Sequence, residues 1–126
     1  MADSSKQTKL MAFGTNPSAA AVLNGFSVGS DLVATGTVIT DALDLVNEYN
    51  HITTSSASTG VQLPDWPVGS PIFVDNASGQ TLNIWPHSSS GTINGGSGGS
   101  AQTIATAKLG FLVRRTSTDW RYTLIN

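Results

Sequence analysis

Apolar and polar residues alternate in short runs along most of this chain, and such alternation is typical of β-strands that bury one face. Leu82 and Ile84, for example, flank the polar Asn83. Runs of this kind, bounded by Gly, Pro, Asn and Ser, predict strands near residues 32–39, 42–46, 49–54, 61–63, 71–74, 81–85, 91–96, 101–105, 109–114 and 120–125. Such regular spacing is typical of sandwiches and barrels. We therefore expect an all-β fold, a small antiparallel β-sandwich or barrel with an irregular N-terminal arm.

The phase of the alternation predicts which side chains fill the core. The apolar positions that share a face within their strands are Leu82, Ile84, Phe111, Val113, Trp120, Tyr122 and Leu124. Trp85 falls on the opposite face of its strand, so its indole either is an exposed binding anchor or covers a barrel end or a loop. Residues 42–46 have a rival interpretation as part of a helix over 41–48, which Asp41 would cap. Residues 116–119 suit a hairpin connection.

Residues 1–30 differ from the rest of the chain because no strand or helix period is sustained there. They have two interpretations, a disordered tail or an arm that docks on a neighbouring molecule. Met11, Phe13 and Phe26 favour the arm, since disordered segments are poor in large apolar side chains. The predicted organisation is therefore an N-terminal arm over residues 1–30 and a β-domain over residues 31–126.

Charged residues make up only 11% of the chain, about half the usual share. Low charge suits a protein whose surface becomes covered on assembly, although a small β-domain with a hydroxyl-rich surface would show the same composition. No Lys or Arg occurs between Leu10 and Ala107, whereas the C-terminal strands carry Lys108, Arg114, Arg115 and Arg121. This segregation can pair strands within the fold or steer neighbouring subunits together. The net charge of −2 argues against a nucleic-acid partner.

Cysteine is absent, which excludes disulfides and thiolate metal sites. The N-terminal residues lack the apolar stretch of a signal peptide, and the longest apolar runs fall far short of the about 20 residues that span a membrane. We therefore expect a protein that is made inside a cell and has no membrane partner.

No catalytic or metal-binding pattern is present in the sequence. His51 and His87 are the two histidines, and neither has a carboxylate or a second histidine at metal-ligand spacing. The glycine-rich residues 91–99 lack the Lys-Ser/Thr of a phosphate-binding loop. Asp41 and Asp44 lie in a polar stretch that offers no apolar pocket to shift their pKa values. We expect no enzyme activity, no cofactor and no metal.

Several short motifs occur in a fixed order between residues 36 and 125. They are Gly-Thr at 36–37 before residues 41–45, Asn-His-Ile-Thr-Thr at 50–54, Gly-Val-Gln-Leu-Pro at 60–64, Pro-Val-Gly-Ser at 67–70, Val-Asp-Asn at 74–76, Leu-Asn-Ile-Trp-Pro at 82–86, Thr-Ile-Asn-Gly at 92–95, and the aromatics Trp120 and Tyr122. In this order they resemble a β-domain of tailed-bacteriophage virion proteins, which is found among capsid decoration (cement) proteins and other head or tail components. The family often has a tyrosine where this chain has Trp85, and residues 1–30 lie outside the resemblance.

The resemblance implies a structural protein of a phage particle, most like a capsid decoration protein. Such a protein would be made in the host cytoplasm and would bind the major capsid protein on the capsid surface as a homotrimer, and a tail or baseplate location is a variant of this hypothesis. The candidate partner contacts are the arm, the Trp85 face and the basic last strands, that is Met11, Phe13, Phe26, Trp85, Arg114 and Arg115. The alternative is a carbohydrate- or receptor-binding tail or fibre module that uses Trp66, Trp85 or His87.

Overall fold

The computed structural model of the chain describes residues 25–125. This part of the chain is built of β-strands and contains no helix. The strands are β1 (Val28–Val33), β2 (Leu43–Asp44), β3 (Tyr49–Thr54), β4 (Gly60–Gln62), β5 (Pro71–Asn76), β6 (Leu82–Trp85), β7 (Thr92–Ile93), β8 (Gln102–Ile104), β9 (Lys108–Arg114) and β10 (Asp119–Leu124). The predicted all-β class is confirmed for these residues. The helix considered over residues 41–48 does not form, and β2 occupies part of that range.

The strands form two sheets with mixed strand directions. The six-stranded sheet has the order β1-β3-β5-β9-β10-β7, and the four-stranded sheet has the order β2-β4-β6-β8. Neighbours among β1, β3 and β5, and among β2, β4 and β6, run parallel. The strands β8, β9 and β10 pair antiparallel with β6, β5 and β9 respectively. The expectation of purely antiparallel pairing is therefore wrong.

The parallel pairing arises because the first six strands alternate between the two sheets. One strand of each sheet together make a coil, and successive coils stack so that Tyr49 lies beside Val28 and Phe73 lies beside Tyr49. This stacking resembles that of a solenoid, in which each unit contacts only its neighbours. We call residues 28–48, which contain β1 and β2, the first coil.

The core is one cluster of buried side chains that come from strands of both sheets. Its buried members are Ala34, Leu45, Ile52, Val61, Leu63, Ile72, Val74, Leu82, Ile84, Ile93, Ile104, Leu112 and Trp120. The predicted core positions Leu82, Ile84 and Trp120 are confirmed, and Tyr122 packs against the cluster while partly buried. Leu124 is exposed at the end of its strand.

Strand β9 has the opposite phase to the one predicted. Gly110, Leu112 and Arg114 are buried, so Phe111 and Val113 lie on the outer face of the sheet. The alternation could not fix this phase, because large apolar residues occupy both faces of the strand. The hairpin predicted for residues 116–119 does connect β9 and β10, and the Arg115 amide donates to the Asp119 carbonyl at 2.9 Å.

A buried asparagine fixes the turn between β5 and β6. The Asn76 amide nitrogen donates to the carbonyls of Gln80 (2.8 Å) and Ile104 (2.9 Å). Its amide oxygen accepts from the backbone nitrogen of Ser78 (3.1 Å) and from the Ser78 hydroxyl (2.6 Å). The side chain is thus fully hydrogen-bonded, as a buried amide must be to avoid a desolvation cost.

Candidate interaction surface

The outer face of the six-stranded sheet carries a row of aromatic side chains. Tyr49, Phe73 and Phe111 are direct cross-strand neighbours on β3, β5 and β9. The ring centroids of Tyr49 and Phe73 are 6.1 Å apart, and those of Phe73 and Phe111 are 4.9 Å apart. Phe26, which precedes β1, lies with its centroid 5.7 Å from that of Phe73 and is 53% exposed. We call these four residues the aromatic row.

The row adjoins a small polar cluster at β3 and β5. The Tyr49 hydroxyl donates to the Asp75 carboxylate at 2.8 Å, and Nε2 of His51 lies 3.9 Å from the same oxygen. The hydrogen bond to Asp75, with burial and the charge of Asp75, raises the pKa of Tyr49. The phenol therefore remains a protonated donor, and this bond fixes the orientation of its ring within the row.

Two shallow grooves border the aromatic row. One, of about 510 Å³, is lined by Asn94, Phe111, Val113, Arg121, Tyr122 and Thr123. The other, of about 280 Å³, is lined by Phe26, Glu48, Trp66, Pro67, Ser70 and Pro71. Together the row and its grooves give an apolar surface with charged groups at its margins, which is the usual composition of an interface with another protein.

Trp85 lies away from this surface and is buried, with 7% of its area exposed. Its ring packs over Gly60 of the neighbouring strand β4, where a Cβ atom would lie 2.6 Å from the ring. Of the two interpretations of Trp85, the exposed binding anchor is therefore wrong, and the indole is packed within the fold as the other interpretation expected. The absence of a side chain at Gly60 makes room for the ring.

Arg114 is also buried, and its guanidinium is occupied within the chain. It forms an ion pair with the exposed Asp65 carboxylate and donates to the backbone carbonyls of Trp66, Thr116 and Ser117. The hydrogen bond and charge of Arg114 lower the pKa of Asp65. In the isolated chain Arg114 thus joins two connecting segments, one after β4 and one after β9, and presents no free donor surface to a partner.

His87 lies beside this guanidinium in the segment after β6. Its Nε2 atom is 3.1 Å from Nη2 of Arg114, and its Nδ1 atom is 3.2 Å from Nε1 of Trp120. Arg114 and Trp120 can only donate, so the imidazole is surrounded by donors and is suited to the neutral state. Burial, followed by the charge of Arg114, lowers the pKa of His87.

Arg115, another predicted contact, is about half exposed and pairs with the buried Asp119 at 2.9 Å. The same carboxylate accepts from Thr92 (2.7 Å) and the Gly95 amide (2.9 Å). Burial alone would raise the pKa of Asp119, but these hydrogen bonds and the charge of Arg115 outweigh it and lower the pKa. The Asp119 carboxylate thereby links β7 and the loop after it to the start of β10.

Of the other predicted contacts, Phe26 belongs to the aromatic row, whereas Met11 and Phe13 lie outside the described residues. Sequence reasoning missed Tyr49 and Phe73 and assigned Phe111 to the core. The available signal was an aromatic residue within each of three strands, but only the register brings them into one row.

Residues 25–125 contain no group of three or more His, Cys, Asp or Glu side chains placed to hold a metal ion. Within the same range no helix has the length and apolar character needed to cross a membrane. What this arrangement can do chemically is bury apolar surface and form hydrogen bonds with a partner.

No protein-family model matches the chain. No curated protein and no solved structure matches it significantly either. Its function must therefore be inferred from its own residues and their contacts.

Proposed function

We propose that this protein is a structural component of a tailed-bacteriophage particle, most like a capsid decoration protein. It binds the lattice of the major capsid protein on the capsid surface as a homotrimer, after synthesis in the host cytoplasm. The observation that carries the proposal is the aromatic row on the outer face of the six-stranded sheet. We also propose that the fold is a small β-sandwich with the two sheets as its layers.

The aromatic row suits attachment to a protein surface for an energetic reason. Burial of apolar surface contributes about 25 cal/mol per Å², and aromatic side chains supply large areas with few rotatable bonds. Phe73 is held by ring contacts with three neighbours, so little side-chain freedom is lost when a partner covers it. A sheet face of this kind can meet a repeated target with the same geometry at every site.

Trimeric assembly would strengthen such attachment. Three copies on a local symmetry axis of a shell engage three equivalent sites at once, and the second and third contacts benefit from high effective concentration. Weak individual contacts can then give stable decoration. The low charge of the chain suits a protein whose surface is largely covered in the particle.

The experiment is co-sedimentation of the purified protein with undecorated shells assembled from the major capsid protein of the same phage. We expect saturable binding of the wild-type protein and a loss of about tenfold or more in affinity for Phe111→Ser, in line with the effect of removing an aromatic anchor from an interface. Val68→Ser is the matched control, because Val68 is exposed but does not belong to the row. Absence of wild-type binding would refute the proposal.

A second candidate function is a carbohydrate-binding tail or fibre module. The groove lined by Phe26 and Trp66, with the Glu48 carboxylate at its side, combines aromatic walls and a hydrogen-bond acceptor as sugar recognition requires. Trp85 is buried and does not contribute to it. Glycan-array binding that Trp66→Ala abolishes, together with no binding to shells, would favour this function over decoration.

A further inference from the structure

Exposed large apolar side chains are concentrated at two opposite edges of the molecule. Those on the first coil are Val28, Val33, Val38 and Val46, and those at the end of β10 are Leu124 and Ile125. β1 and β2 are edge strands of their sheets, so the first coil forms one end of the fold. β10 lies near the other edge of the six-stranded sheet, covered only by the short β7. Exposed apolar surface of this kind usually marks a contact with another molecule.

The two edges carry opposite charge. The first coil contains four carboxylates, Asp31, Asp41, Asp44 and Glu48, and no Lys or Arg. At the other edge Arg121 is exposed on β10, and Lys108 is exposed at the start of β9, next to the residue whose carbonyl accepts from the Ile125 amide. We call Asp31, Val33, Asp44 and Val46 the first-coil surface, and Lys108, Arg121, Leu124 and Ile125 the last-strand surface.

We infer that copies of this chain associate head to tail, with the first-coil surface of one copy against the last-strand surface of the next. Charge complementarity favours this arrangement, because two first-coil surfaces would bring their carboxylates together and repel. Apolar side chains on both surfaces supply the area to be buried. A contact between two different surfaces of the same chain produces a closed ring when its rotation closes, and an open chain otherwise.

At each edge the backbone is poorly suited to pairing with a strand of another copy. Side chains therefore make most of the contact. Asp31 has a φ of 55° and lies within the register shift between Gly29 and Leu32, so β1 is an irregular edge strand. At the other edge the Asn94 side chain bonds to both the amide (2.9 Å) and the carbonyl (3.1 Å) of Tyr122. The edge of β10 is thereby closed as far as Tyr122, and Leu124 and Ile125 remain for contact.

The inference rests on the proposed function in one respect, because it names the surfaces through which a decoration protein would form its oligomer. The two can fail separately. Binding to shells by a protein that is monomeric in solution would refute the inference and leave decoration in place. A head-to-tail oligomer that does not bind shells would refute decoration and leave the inference in place.

The test uses two variants of the full chain, each altered on one surface. Asp44→Arg with Val46→Arg reverses the charge of the first-coil surface, and Arg121→Glu with Ile125→Glu reverses that of the last-strand surface. All four positions are exposed, so both variants should keep the wild-type melting temperature. Their molar mass, and that of the wild-type protein, is measured by light scattering over a range of concentrations.

We expect the wild-type protein to oligomerise and each variant alone to be monomeric, with self-association weakened about tenfold or more. A mixture of the two variants should associate again, because the unaltered last-strand surface of the first variant meets the unaltered first-coil surface of the second. Val68→Arg is the control and should oligomerise as the wild type does. A monomeric wild-type protein would refute the inference and indicate that residues 1–24 or a different protein covers these surfaces. Variants that oligomerise fully, or a mixture that stays monomeric, would refute it as well.

Discussion

The indole nitrogen of Trp120 lies 3.2 Å from Nδ1 of His87, so the largest buried side chain of the core meets a titratable ring from the segment after β6. The Arg114 guanidinium approaches the other nitrogen of that ring. The imidazole has one lone pair when neutral and none when protonated. The neutral ring can accept the hydrogen bond of Trp120, whereas the protonated ring cannot. Protonation of His87 would therefore place its N–H groups against those of Trp120 and Arg114, next to the core.

The lowered pKa of His87 predicts that acid destabilises the protein in a defined range. The unfolded chain takes up a proton near pH 6.5, whereas the folded protein does so only at lower pH. The free energy of unfolding should be unaffected by this group above pH 6.5 and should decrease as the pH falls from 6.5 towards the pKa of His87 in the folded protein. Below that pKa the group should cause no further decrease. Urea unfolding at pH 7.5, 6.5 and 5.5 measures the effect. His87→Gln should flatten the dependence in this range, while His51→Gln should retain it. An equal slope for wild type and His87→Gln would contradict the prediction.

Removal of the Arg114 guanidinium should lower the free energy of unfolding by more than the loss of one ion pair would. Arg114→Met leaves the carbonyls of Trp66 and Ser117 without their donor in a partly buried region, and an unsatisfied buried polar group costs about 1–3 kcal/mol. We expect a loss of about 2 kcal/mol or more in the free energy of unfolding. Arg115→Met should cost less, about 1 kcal/mol, because Arg115 is half exposed and the buried Asp119 carboxylate keeps its hydrogen bonds from Thr92 and Gly95. Equal losses for the two variants would contradict this interpretation.

The substitution Gly60→Ala, which adds a methyl group at the start of β4, should lower the stability of the protein. The methyl carbon would lie 2.2 Å from the Asn83 carbonyl oxygen and 2.6 Å from the Trp85 ring, and the first of these atoms is backbone. Overpacking of this kind typically costs about 1–3 kcal/mol. The matched control is Gly79→Ala, because no atom lies within 4 Å of the carbon added there. Thermal unfolding of both variants is the measurement. A lower melting temperature for Gly60→Ala alone would attribute the loss to close packing at Gly60, whereas an equal decrease for both variants would contradict this explanation.

Deletion of residues 1–24 should leave the β-fold intact but weaken attachment to shells. The first strand begins at Val28, so this deletion spares β1 and Phe26, whereas removal of residues 1–30 would cut into the strand. Circular dichroism should show unchanged strand content and an unchanged melting temperature. Co-sedimentation with shells should show reduced binding if the predicted arm contributes contacts. Full attachment of the shortened protein would assign all binding to the described part of the chain.

Local patterns predicted the strands well but not their partners. The alternation around Leu82 and Ile84 placed β6 and its buried face correctly, because period-two patterning reports burial directly. Parallel pairing of β1, β3 and β5 left no local signal, since the residues that pair lie one coil apart. The usual markers of parallel sheets, long crossover helices, are replaced here by short β-strands of a second sheet.

The site was less predictable than the fold. The alternation placed Trp85 on the face opposite Leu82 and Ile84 but left open whether the indole is exposed or packed, because the space for it is provided by Gly60 on a different strand. Arg114 was assigned to the surface because it is charged, and the carbonyls that make its burial tolerable come from segments distant in sequence. The aromatic row depends on register across three strands, which no single segment encodes.

The coiled order of the first six strands also bears on how the protein folds during synthesis. Each of β3, β4, β5 and β6 pairs with a strand that has already emerged from the ribosome, so the coils can stack in sequence as they are made. Trp120, the largest fully buried side chain, lies on β10, which is made after the other nine described strands. The core that the coils share therefore lacks its largest member until β10 has been synthesised.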